Sequence, residues 1–241
     1  TRSISDILQY SLNTGATWLL MQMGDGELNE KGRTVWHDYM INHFRFGTVT
    51  GIEQGYEVEG VIPDPTEGYG LNIRYANTSF GQGMTATPLQ MISALSAVIN
   101  GGKYYRPHLV ATETLANGEV VEKSPEILKE NVVSPETSQV IVGFMNNVVN
   151  KNNRSAARSG YMVGGKTGTA EIARPEGGYY EDKFNGTYMG YVGGNKPKYA
   201  IFVRVNEPKI SGYAGSKAAG PIFSSISNTL IDNFSIEASA L

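Results

Sequence analysis

The hydrophobic period of this 241-residue chain changes once, near residue 160, and no other feature restricts its fold as much. Up to that point the signals are those of amphipathic helices, with apolar residues at three- and four-residue spacing. Beyond it, apolar and small residues alternate as they do along strands with two different faces. A chain of this length buries enough surface for one large domain, or for two subdomains sharing a core. The expected fold class is therefore α+β, with a mainly helical part over about residues 1–160 and strands plus a last helix over about 161–241.

Caps and stops place the individual helices. "SISDILQYSLN" begins with Ser3 three residues before Asp6, a capping-box start, and should stop near Asn13 and Gly15. "TGATWLLMQMG" gives a second helix ending at Gly24. "LNEKGRTVWHDYMINHFRFG" puts Val35, Tyr39, Met40 and Phe44 on one face and stops at Gly47. His37 and His43 fall on different faces of that helix, which argues against a metal pair. Residues 51–83 are rich in Gly, Pro and acidic residues and read as a surface loop with at most a short hairpin. "TPLQMISALSAVINGG" has Thr87 as cap, Pro88 in the first turn, Gln90 completing a capping box, and Gly101 and Gly102 as stop. "SPETSQVIVGFMNNVVN" repeats the pattern from Ser134 and Pro135. Three strands then follow, "YMVGGKTGTAEIA", "NGTYMGYVGG" and "PKYAIFVRVNEP", expected as an antiparallel meander, and a helix from about Pro221 to Asn233.

Composition removes several function classes. The 20 basic residues are scattered among 23 acidic ones, for a formal net charge of -3, so no basic footprint for nucleic acid is present. The chain has no cysteine, which excludes disulfides and thiolate metal sites. No apolar run approaches the roughly 18 residues of a membrane helix, so an anchor is expected outside this chain.

The first strand carries the chemistry. In "YMVGGKTGTAEIA" the hydroxyls of Thr167 and Thr169 project to one side, while Lys166 points to the other and has a stem long enough to reach a neighbouring segment. Two hydroxyls and a cation suit a carboxylate, through charge-assisted hydrogen bonds of about 1.5–3 kcal/mol each. Gly168 and its small neighbours leave room for an extended ligand. Taken alone, the strand reads equally well as an edge strand guarded by a lysine.

Further residues decide between these readings. "GGKTGTA" resembles the Lys-Thr-Gly motif of penicillin-binding proteins and serine β-lactamases. "YSLNTGA" is similar to the Ser-x-Asn motif of that family, through Ser11 and Asn13. "SFGQGMTATPLQMISALSAVINGG" resembles the Gly-Gln-Gly and Thr-Pro-Leu-Gln signature of the class B members, and "YAIFVRVNEP" and "AAGPIF" extend the likeness toward the end of the chain. One departure stands out: no Ser or Thr has a Lys three residues later, so the S-x-x-K motif that bears the family's nucleophile is missing from these 241 residues. Truncation upstream is the expected reason.

The resemblance implies a penicillin-binding fold and a peptidoglycan D,D-transpeptidase that acts by serine acyl transfer on D-alanyl-D-alanine stem peptides. Ser11 would relay a proton, Asn13 would donate to the substrate's peptide carbonyl, and Lys166 would supply positive potential. Thr167 and Thr169 would hold the terminal carboxylate, with Gly168 keeping the strand open. Its implied partners are peptidoglycan stem peptides, β-lactam antibiotics, the missing N-terminal part of the same protein and wall-synthesis proteins. No cofactor and no metal are implied. The implied location is the outer face of the bacterial cytoplasmic membrane. Other readings are a D,D-carboxypeptidase, a β-lactamase, or a non-catalytic penicillin-sensing or scaffold module. The resemblance also implies a sheet order in which the "KTGTA" strand lies at one edge and "YAIFVRV" lies third.

Overall fold

The computed structural model describes residues 1–210 and 214–239. Among the described residues there are seven helices and seven strands. They are α1 Ile4–Tyr10, α2 Asn13–Gln22, α3 Glu30–Asp38, α4 Leu71–Thr78, α5 Pro88–Ile99, β1 Tyr104–Tyr105, β2 Thr112–Thr114, β3 Val120–Glu122, β4 Ile127–Lys129, α6 Pro135–Asn152, β5 Met162–Ala173, β6 Tyr179–Gly193, β7 Pro197–Asn206 and α7 Gly220–Asn233. Two π-helical turns, Tyr39–His43 and Gly215–Ala219, extend α3 and precede α7.

Capping residues behave as their chemistry dictates. Ser3 and Asp6 close the capping box of α1, with Asp6 N donating to Ser3 Oγ at 3.1 Å and Ser3 N donating to the Asp6 carboxylate at 2.9 Å. Thr87 and Gln90 do the same for α5. The Gln90 side chain, only 1% exposed, also donates to Thr48 O at 2.7 Å and Glu59 O at 2.8 Å, and so ties the long 47–70 segment to this helix. Gly102 ends the stop after α5 at φ 97°, where a β-carbon would collide with the Val133 carbonyl.

The helical part departs from expectation in three places. Residues 51–83 are not all loop, because α4 forms there. It has no side-chain cap and starts from Gly70 in the left-handed region, so the usual start signal is missing. Its anchor is Tyr75, 0% exposed, whose hydroxyl donates to Pro63 O at 2.6 Å. Strands also occur before residue 160, as the small pairs β1 with β4 and β2 with β3, which are too short to produce a visible period. On α3 the buried stripe runs through Trp36 and Met40 and leaves Val35 36% exposed. The indole NH donates to Thr78 Oγ1 at 3.0 Å, so Trp36 rather than Val35 turns inward toward α4.

The antiparallel sheet has the order β5-β6-β7, as the sequence implied, with β5 and β7 as its outer strands. Register fixes what each face carries. Gly164, Tyr191 and Ala200 align across the sheet, as do Lys166, Met189 and Phe202. The alternate rows are Gly165, Gly190 and Ile201, then Thr167, Tyr188 and Val203. One face packs Met162, Met189 and Tyr191 against Leu95 and Ile99 of α5 and Val142 and Met145 of α6. The other packs Val163, Tyr188, Val192, Ile201 and Val203 against Phe223 and Ile231 of α7. Both faces of β6 thus carry apolar side chains in its second half, Tyr188 and Val192 on one and Met189 and Tyr191 on the other. Among the described residues no helix is long and apolar enough to cross a membrane.

Candidate active site

The small residues of β5 have a packing cause. A β-carbon on Gly164 would enter the ring of Tyr191, and one on Gly165 would enter the ring of Tyr188. These two tyrosines are 0% and 1% exposed and fill the space that the glycines leave. Gly168 is restricted in the same way by the Thr187 hydroxyl across the ladder, and Gly215 approaches its carbonyl from the side. These contacts demand small residues at positions 164, 165 and 168 whatever ligand the strand meets. The glycines let β5 lie flat on the large rings of β6, and this fixes the direction in which Lys166 leaves the strand.

Lys166 reaches Ser11. Its Nζ donates to Ser11 Oγ at 2.8 Å and to Thr167 O at 2.8 Å, while Thr167 Oγ1 lies at 3.5 Å. Ser11 is brought there by the end of α1. It sits in the left-handed region at φ 54° and ψ 53°, a turn conformation that reverses the chain so that α2 can start two residues later at Asn13. Asn13 is exposed at the N-terminus of α2, where backbone N–H groups lack intrahelical partners. The long-range contact between Ser11 and Lys166, 155 residues apart, joins the two motifs in space.

Burial makes this lysine unusual. It pushes the Lys166 ammonium down to about 8, because the charged form has lost much of its water. With Lys166 donating to Ser11 Oγ, the serine's own proton is free to point at another acceptor, which suits a relay more than an inert structural bond. Thr167 and Thr169 project to the opposite face from Lys166, as alternation requires. Thr167 is half-buried, and the exposed Thr169 accepts a 3.0 Å hydrogen bond from Gly215 N. The fold thus brings Ser11, Lys166 and Thr167 into contact, with Asn13 next to the first and Thr169 further along the strand of the others.

Sequence reasoning missed the supports of this site. A cavity of about 50 Å³ beside Lys166 and Thr167 is lined also by Gln9, Asn152, Asn153 and Tyr188. Gln9 and the two asparagines come from α1 and the end of α6. These asparagines fall in the run "MNNVVNKNN", which in sequence shows only the residue type and no partner.

Residues 1–228 match the family described as the penicillin-binding protein transpeptidase domain. Stage V sporulation protein D of Bacillus subtilis is 34% identical over 224 residues, which make up 92% of this chain and 33% of the relative. The peptidoglycan D,D-transpeptidase FtsI of Escherichia coli is 26% identical over 99% of this chain and 37% of its own length. The crystal structure of penicillin-binding protein 3 from Mycobacterium tuberculosis, complexed with ampicillin, superposes with a TM-score of 0.82 at 25% identity, over 99% of this chain and 52% of that one. The chain spans about a third of the length of these two curated relatives. The family match over residues 1–228 and the 34% identity to a relative over 92% of the chain show that the chain belongs to the transpeptidase domain family of the class B penicillin-binding proteins.

Proposed function

We propose that these residues form two walls of an active site that cross-links peptidoglycan by serine acyl transfer, the nucleophilic serine coming from an S-x-x-K segment of the same protein outside the 241 residues. The observation that carries this reading is the 2.8 Å contact of Lys166 Nζ with Ser11 Oγ. A serine attacks the carbonyl of the D-alanyl-D-alanine bond, the amine of the terminal D-alanine leaves with a proton, and an acceptor amine then displaces the acyl group from the serine. In that sequence Ser11 passes the proton to the leaving amine, and the cation on Lys166 favours the negative charge that develops beside it. Asn13 donates its amide N–H to the substrate's peptide carbonyl. Thr167 and Thr169 hold the terminal carboxylate, and the Thr169 backbone N–H is one donor to the oxyanion, an element typically worth about 3 kcal/mol. β-Lactams, which carry a carboxylate beside a strained amide, would be attacked in the same pocket. The protein would work on the outer face of the cytoplasmic membrane, among the proteins of wall synthesis.

The test uses the full-length protein and a fluorescent penicillin. The parent should label covalently, the 241-residue chain should not, and Lys166→Ala and Asn13→Ala should acylate at least tenfold more slowly. Rates within twofold of the parent would refute these roles, and labelling of the 241-residue chain would place the nucleophile inside it. Product analysis with stem peptide and an acceptor amine separates the alternatives: cross-linked product supports the transpeptidase, release of D-alanine to water alone a carboxypeptidase, and a stable adduct with no product a sensing module.

A further inference from the structure

We propose that an asparagine clamp on α6 sets the distance between the two catalytic motifs, with Asn152 and Asn147 positioning Ser11 and Asn146 positioning Lys166. The proposal rests on the function proposed above only for the catalytic consequence of that distance. Asn152 Nδ2 donates to Gln9 O at 2.6 Å, and Asn147 Nδ2 donates to Gln9 Oε1 at 3.3 Å. Gln9 lies two residues before Ser11 on α1. From the same helix, Asn146 Nδ2 donates to Val163 O at 2.8 Å, three residues before Lys166 on β5. One rigid helix therefore holds both sides of the Ser11 to Lys166 contact.

Apart from the clamp, α1 is held by half-buried apolar side chains, with Ile7 lying against Gly15 of α2. It is a single seven-residue helix with no fully buried side chain, too short to keep its place by its own propensity. Leu8 packs on the cluster around Tyr191, but this is a sliding apolar contact without direction. The hydrogen bonds to Gln9 are directional and act next to the left-handed turn at Ser11. Asn152 and Gln9 also line the cavity beside Lys166, so releasing Gln9 opens that cavity to solvent. Positioning to a fraction of an ångström is what relay chemistry requires.

The experiment compares Asn152→Leu with Ser138→Ala. The leucine keeps the shape of Asn152 and adds no charge beside Lys166, but cannot donate to Gln9 O. Ser138 is on the first turns of the same helix, 4% exposed, and accepts from Gly101 N at 3.1 Å, far from both motifs. The Lys166 titration midpoint, read by NMR of the lysine side chain in the full-length protein, should rise by half a unit or more in Asn152→Leu, as water reaches the ammonium. Ser138→Ala should leave it in place while lowering stability. In the same protein, Asn152→Leu should lower penicillin acylation at least threefold and Ser138→Ala less than 1.5-fold. An unmoved midpoint in folded Asn152→Leu, or equal shifts in both variants, would overturn the clamp. Should Asn152→Leu not fold, Asn147→Ser takes its place, with a midpoint shift expected and its absence equally decisive. A parent that never labels with penicillin would sink the proposed function and leave the midpoints to judge the clamp.

Discussion

Gly164→Ala places a single methyl group where the fold has no room for it, so its cost can be worked out from the geometry. The new β-carbon would stand 2.6 Å from Tyr191 Oη and closer still to Cε1 and Cζ of the same ring. Tyr191 is 0% exposed, enclosed by Leu95 and Ile99 of α5 and Val142 and Met145 of α6, and its hydroxyl donates to Val142 O at 2.7 Å. To admit the methyl, the ring must move and give up that bond. Overpacking costs about 1–3 kcal/mol, and a buried hydroxyl left without a partner adds about 1–3 kcal/mol. Replacing a strand glycine returns about 0.5–1 kcal/mol through the unfolded chain. The net loss should be about 1–5 kcal/mol, which lowers a urea midpoint by about 0.5–2 M at a slope near 2–3 kcal/mol/M. Urea denaturation followed by tryptophan fluorescence measures it, with the slope checked for constancy. Tyr191→Leu removes the ring, so in the double variant the Gly164→Ala cost should fall by more than 1 kcal/mol, as expected for groups in contact. A loss below about 0.5 kcal/mol for the single variant, or strict additivity in the cycle, would refute the claim that the glycines of β5 are dictated by the rings of β6.

Three further outcomes are expected. Tyr188→Phe should leave stability within about 1 kcal/mol of the parent, because the buried Tyr188 hydroxyl makes no close hydrogen bond among the described residues and has only a loose contact with the Asn153 side chain, whereas its ring stays stacked on Phe223 at 4.3 Å; a larger loss in the urea assay would show that the hydroxyl is firmly bonded. Gln90→Met keeps the volume but strips partners from Thr48 O, Glu59 O and Thr87 N, and should cost about 3 kcal/mol or more in the same urea assay; a cost under 1 kcal/mol would mean that the 47–70 segment is held elsewhere. Burial lowers Lys166 to about 8 from an unfolded value near 10.5, so between those limits the unfolded chain binds more protons: stability should rise with pH across that window while charge-dependent acylation falls through about 8, and a Lys166→Met variant that keeps the same rise would disprove the assignment.

The sequence was legible wherever a local interaction decides the structure. Ser3 with Asp6, Thr87 with Gln90, and Ser134 before Pro135 announce helices because capping needs only residues three apart. β5, β6 and β7 announce themselves by alternation, and their order follows from short connections. α4 stayed hidden because what holds it, the bond from Tyr75 to Pro63 O, is a tertiary choice, and Gly70 supplies no capping side chain. Val35 was misplaced for a related reason: the partner of Trp36 is Thr78, 42 residues on, and no helical period contains that information. At the site, the residue types of Ser11, Asn13, Lys166, Thr167 and Thr169 were readable, but the asparagines of α6 were not. An asparagine announces nothing until its amide has a carbonyl to meet.

The division of β5 into two faces links this packing to the chemistry. A strand cannot place Lys166, Thr167 and Thr169 on one side, because successive side chains alternate. In a central strand the lysine and the threonines would be separated by the sheet itself. At an outer strand both faces meet along one open edge, and a lysine can bend its stem over that edge, as the contact of Nζ with Thr167 O demonstrates. The glycines at 164, 165 and 168 let the strand lie flat against Tyr191, Tyr188 and Thr187, so that the edge is straight where Ser11 arrives from α1 and Gly215 from the turn before α7. Substituting a bulkier residue at those positions would disturb both faces together. The demand for small residues in this stretch comes from the neighbouring strand, and the alignment of cation and hydroxyls along one edge is its consequence.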